Sequence, residues 1–142
     1  MDSEADKPPV LVIPCSGIGK VHGLLSREAT YLVTDELAPE GTDTLCLALL
    51  VKGDADAVAK VQTHKCITID GCGKACAEKN VQMAGGHVGE AVQVAAVLKD
   101  HRGTQPGTGA ILTDEGWPVA RDIAERVAEC AARLQGDEEV AP

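Results

Sequence analysis

The sequence predicts an α/β fold: a small single domain with a mostly parallel, Rossmann-like sheet flanked by helices. Three observations lead there. Short, continuous apolar runs at 10–13 ("VLVI") and 65–69 ("KCITI") read as buried strands. Segments with helical spacing of apolar residues lie between and after them, the alternation expected of βαβ units. The chain also has no Phe, one Trp and one Tyr, so its core must be aliphatic. An aliphatic core suits helices packed on a sheet buried on both faces.

Each element follows from its own residues. Residues 1–9 read as a disordered tail ending at Pro8-Pro9, and the domain is expected over 10–135. After the first strand, Cys15-Ser16-Gly17 turns the chain. Val21, Leu24, Leu25, Ala29 and Leu32 then space out one helical face. Pro39-Glu40-Gly41 breaks that helix. Thr42 or Asp43 is expected to cap a short helix, "TLCLALLVK", ending near Gly53. Asp54 or Asp56 restarts a helix through Ala57, Val58 and Val61. The strand at 65–69 leads into "DGCGKACAEKNVQMAGG", a turn and then a helix stopped by Gly85-Gly86. Residues 90–98 suit a third strand or a helix, and 100–109 a loop. The last helix has Asp114 as its expected cap and Pro118 in its first turn. Its apolar stripe is Val119, Ile123, Val127, Cys130 and Leu134, before an acidic tail at 136–142.

Charge narrows the function. A net charge of −9 argues against nucleic acid and anionic membranes, which attract Lys and Arg. No run reaches the roughly 18 apolar residues of a membrane span. The acidic start lacks the basic and apolar regions of a secretory leader. The expected setting is cytoplasmic, where thiols stay reduced. Six cysteines there read as metal ligands, reactive thiols or small core residues before disulfides.

Position separates the six. Cys72 and Cys76 are four apart. With a helix beginning near Gly73, both would face one side, and Cys72 would meet the positive end of the helix dipole as a thiolate. The competing reading is two half-buried thiols on a core-facing helix. Cys15 ends the first strand as Cys72 ends the second. Parallel strands would bring both to the sheet edge where α/β folds bind ligands. Cys46, within an apolar helix, is a core residue or a further ligand. Cys66 begins its strand at the end opposite Cys72, roughly 16–20 Å away in extended chain, and reads as core. Cys130 lies on the last helix's stripe and reads the same way. His22 follows Cys15 closely enough to be a ligand or a proton carrier.

Several familiar motifs fail. "GIGK" is not a phosphate loop, because Val21 follows Lys20 and no Gly stands five before Gly19. A phosphatase loop on Cys15 would need Arg where Val21 stands. No Gly-x-Ser-x-Gly elbow is present.

The stretches "PCSGIGKVHGLLSREATYLV", "CLALL" and "ITIDGCGKACA" resemble the DGC-domain family, named for its Asp-Gly-Cys motif, over about residues 10–85. Nothing after residue 90 carries a matching motif. The resemblance implies a zinc-binding domain with four chelating cysteines and no established activity. By motif they are Cys15, Cys46, Cys72 and Cys76. The expected site is one Zn²⁺ held tetrahedrally by these thiolates. Asp70 would form the turn or stand behind the ligands, and backbone N–H groups of Gly17 and Gly73 would reach the sulfurs. Four thiolates leave no position for water, so the expected role is structural or in metal handling, not hydrolysis. The alternatives are a thiol enzyme and an iron–sulfur protein. In the enzyme, Cys15 is the nucleophile, Cys72 or Cys76 resolves it and His22 moves protons.

Overall fold

The computed structural model describes residues 8–15, 20–71 and 73–136. The expected tails therefore lie mostly outside the described residues, as do Ser16 to Gly19 and Cys72. The apolar run after Pro9 forms β1 (Val10–Pro14), every residue of it buried. Helix α1 (Val21–Leu32) continues into a π-helical turn, Val33–Leu37. β2 (Thr42–Thr44) and α2 (Leu47–Lys52) follow. Then come α3 (Ala55–Thr63), β3 (Lys65–Asp70) and α4 (Cys76–Met83). β4 (His87–Gln93), α5 (Val94–Leu98) and the long α6 (Gly116–Gly136) complete the chain.

The strands form one sheet in the order β2-β1-β3-β4, and every pairing is parallel. The predicted α/β class is the observed one. Alternation along the strands divides the core. Val10, Val12, Ile67 and Ile69 face α1, α5 and α6. Leu11, Ile13 and Cys66 face α2, α3 and α4. The chain leaves β1 toward β2 over one face and returns to β3 over the other. Between β1 and β3 the winding direction reverses, and the carboxyl ends at such a point are where α/β sheets bind ligands.

Local chemistry sets the boundaries. Asp54 caps α3 by accepting the Ala57 N–H at 3.1 Å. Gly53 ends α2 at φ 81°, a left-handed conformation that suits glycine. Two expectations fail here. Thr42 and Asp43 do not cap a helix; they pair with Val10 and Leu11 as the edge strand β2. A three-residue polar strand has no apolar signature, and only its ladder with β1 makes it a strand. The cap of α6 is Thr113, not Asp114: its hydroxyl accepts the Glu115 and Gly116 N–H groups, each at 3.2 Å. The segment 90–98 is divided, with β4 ending at Gln93 and α5 beginning at Val94. β4 also bulges. Cys66 pairs with Val88 but Ile67 with Glu90, so Gly89 is the extra residue.

Candidate metal centre

The site is built from the ends of adjacent strands. Cys15 follows β1, and its N–H donates to the Ile69 carbonyl of β3 at 2.9 Å. Its sulfur is partly buried against the cluster around Leu47 and Leu50. The Gly71 N–H donates to that sulfur at 3.2 Å, and the Ser26 hydroxyl lies 3.8 Å from it. The backbone donor is thus Gly71. Gly17, also expected to donate to a sulfur, lies outside the described residues, as does Cys72, the thiol next to Gly73. Gly71 reaches the sulfur because it has no side chain. A Cβ there would come within 2.9 Å of the His22 Cβ and 3.1 Å of the His22 carbonyl carbon. The end of β3 and the first turn of α1 are therefore in direct contact.

Asp70, 2% exposed, has a definite task. Its two carboxylate oxygens accept the N–H groups of Ala77 at 2.7 Å and Glu78 at 3.1 Å. These are unsatisfied donors of the first turn of α4. The strand end caps the helix across the intervening loop, so Asp70 is a helix cap and not only a turn-former. Before that helix, Ala75 is buried with φ 53°. The left-handed residue halts any earlier helix, so α4 begins at Cys76 and not near Gly73. Cys76, expected one turn inside, is the first helical residue and is exposed.

Cys46 is exposed and extended (φ −78°, ψ 127°) just before α2, not inside a helix. Its place after β2 puts it on the same sheet edge as Cys15 and Cys76. The described thiols of that edge, Cys15, Cys46 and Cys76, are all free. Among the described residues, no group of three or more His, Cys, Asp or Glu side chains is gathered closely enough to hold a metal ion. Cys72, which the chain order puts between Gly71 and Gly73, lies outside them.

The remaining candidates fall elsewhere. Cys66 is fully buried at the other end of β3, its sulfur 3.6 Å from the His64 carbonyl oxygen. Burial pushes its thiol up to about 12. Cys130 is partly buried on α6, and its sulfur accepts from Arg133 Nη2 at 3.5 Å. Both stand apart from the edge. His22 packs its backbone and Cβ on Gly71, and among the described residues it makes no hydrogen bond to Cys15. Sequence reasoning missed Ser26, a fully buried hydroxyl beside the Cys15 sulfur. Its only signal was a polar residue one helical turn after Gly23, next to the apolar stripe.

A family model, the DGC domain, matches residues 11–114. That is more than half of the chain, and it extends the motif resemblance through β4, α5 and the loop before α6. No curated protein and no solved structure matches the sequence. The Asp-Gly-Cys stretch from which the motif resemblance was drawn falls inside the matched span. The chain belongs to the DGC domain family.

Proposed function

We propose that this protein binds one Zn²⁺ through the thiolates of Cys15, Cys46, Cys72 and Cys76, in a structural or metal-handling role. One observation carries the proposal. Three neighbouring parallel strands, β2, β1 and β3, each lead into a cysteine at the same edge of the sheet. Two of those strand ends, of β1 and β3, flank the point where the winding reverses. The donor set fits the ion, since four thiolates match a borderline-soft metal without a preferred d-electron geometry.

The chain's own residues have definite tasks in this reading. Gly71 N–H holds the Cys15 sulfur from behind. Asp70 keeps the start of α4, and with it Cys76, fixed to the end of β3. Cys46 and Cys76 are exposed, so both thiols are open to an ion arriving from solvent. The bound metal would supply a crosslink between strand ends, so metal binding adds to folding stability. The net charge of −9 supports a partner set without nucleic acid or anionic membrane. The reading takes the setting to be cytoplasmic: among the described residues no helix is long and apolar enough to cross a membrane.

The test is native mass spectrometry of protein purified without added metal, before and after a chelator. One bound zinc, lost on chelation and absent in Cys72→Ser and Cys15→Ser, is the expected result. Full metal content in both variants overturns it. A second reading is favoured by the Gly71 N–H on the Cys15 sulfur, the kind of donor that stabilises a nucleophilic thiolate. A metal-free protein in which Cys15 alone alkylates rapidly at neutral pH would establish that thiol enzyme. A coloured, iron-containing protein would establish a cluster instead.

A further inference from the structure

We infer that Ser26 is the residue that positions the Cys15 sulfur for metal, its hydroxyl turning from the backbone of α1 to the thiolate. The inference rests on the reading of Cys15 as a ligand. Ser26 is fully buried in α1, with its oxygen 3.8 Å from the sulfur. Its hydroxyl donates at present to the Gly23 carbonyl, 2.6 Å away. A hydroxyl has one proton to give and lone pairs to receive. While Ser26 donates to Gly23, the only hydrogen bond left between it and Cys15 is one from S–H to Oγ.

Metal binding removes that donor. On coordination the Cys15 proton would pass to solvent, and Cys15 would hold the ion as a thiolate. The Ser26 oxygen would then face a sulfur with no hydrogen, lone pair against lone pair. Rotation about the Cβ–Oγ bond resolves this without moving a heavy atom. The Ser26 hydrogen swings to the sulfur, which then has donors from Ser26 and Gly71. The Gly23 carbonyl is not stranded, because within α1 it also accepts the Arg27 N–H of the i→i+4 ladder. A fully buried side chain has no water to take over this role, so loss of the hydroxyl leaves the sulfur with one donor fewer.

Thr30 provides the control. It is a buried hydroxyl on the same helix, donating to the Ser26 carbonyl at 2.8 Å, and the contact at the Cys15 sulfur is made by Ser26 Oγ. The experiment measures Zn²⁺ affinity by competition with a chromophoric chelator, and the thiolate-to-metal absorption band with Co²⁺, for the full chain, Ser26→Ala, Ser26→Thr and Thr30→Ala. Ser26→Ala is expected to lose about tenfold to a hundredfold in affinity, the usual effect of removing a ligand's hydrogen-bond partner. Its Co²⁺ band should also move. Ser26→Thr, which keeps the hydroxyl, should restore the band, and Thr30→Ala should leave both readouts at the level of the parent protein. Equal losses in Ser26→Ala and Thr30→Ala, or no loss in Ser26→Ala, overturn the assignment while leaving the metal reading intact. Failure of the parent protein to bind either ion overturns both.

Discussion

At the residue scale, the arrangement depends on one glycine more than on any cysteine. Gly71 lets the β3 end touch α1, and its N–H reaches the Cys15 sulfur. Gly71→Ala should destabilise the protein by about 1–3 kcal/mol through overpacking, seen as a lower denaturant midpoint at unchanged slope. A midpoint equal to that of the parent would mean that the first turn of α1 yields freely. Cys66 makes the opposite prediction, for a thiol that stays silent. Burial raises it from 9.0 to about 12, so the folded state holds its proton more tightly than the unfolded chain. Its contribution to stability is complete below pH 9 and declines from there toward pH 12, by at most about 1.4 kcal/mol per pH unit. Cys66→Ala should flatten that part of the stability–pH curve, and native Cys66 should resist alkylation at pH 8 until the protein is unfolded. The separation of Cys66 from the edge thiols was legible in the sequence, because strand length alone places it at the far end. The contact between Ser26 and Cys15 was not. It depends on how far α1 is turned about its axis on the sheet, which helical spacing defines only to within a face.

At the element scale, α4 owes its start to another element. Its first-turn N–H groups are satisfied from β3 by Asp70, while Ala75 immediately before it offers no capping side chain. Asp70→Ala should cost about 1–2 kcal/mol, the range of a lost helix cap, and should loosen the segment carrying Cys76. Hydrogen exchange at Ala77 and Glu78 measures this directly, and protection unchanged from the parent protein would refute the capping role. Local rules look for a cap beside the first helical turn, and Asp70 stands six residues before Cys76, so its sequence context suggests only a turn or a support behind the ligands. A cap delivered from a neighbouring strand has no spacing signature. The same limit explains β2. Strands β1 and β3 announce themselves by apolar runs, whereas Thr42–Thr44 is a strand only through its partner. Helices α1, α3 and α6 were legible because their apolar stripes and breakers agree.

At the scale of the whole molecule, parallel topology converts distant sequence positions into one edge. Zn²⁺ at a free concentration a hundred times its Kd should stabilise the fold by about 2.7 kcal/mol, read by calorimetry as a rise in Tm that a chelator reverses. No rise with Zn²⁺ would count against a site bridging strand ends. The open order β2-β1-β3-β4 has a further result at its two outer strands. Unpaired strand edges invite pairing with other molecules. β2 is only three residues long, and its Asp43 is tied to Lys60 of α3 at 2.9 Å, which holds the carboxyl below its ordinary range. β4 is longer, but the bulge at Gly89 interrupts its regular spacing, and a Cβ there would strike Leu134 Cδ1 at 2.8 Å. A second copy of the chain therefore meets a short charged strand on one side and a kinked one on the other. Neither offers the long regular template from which intermolecular sheets and fibrils grow.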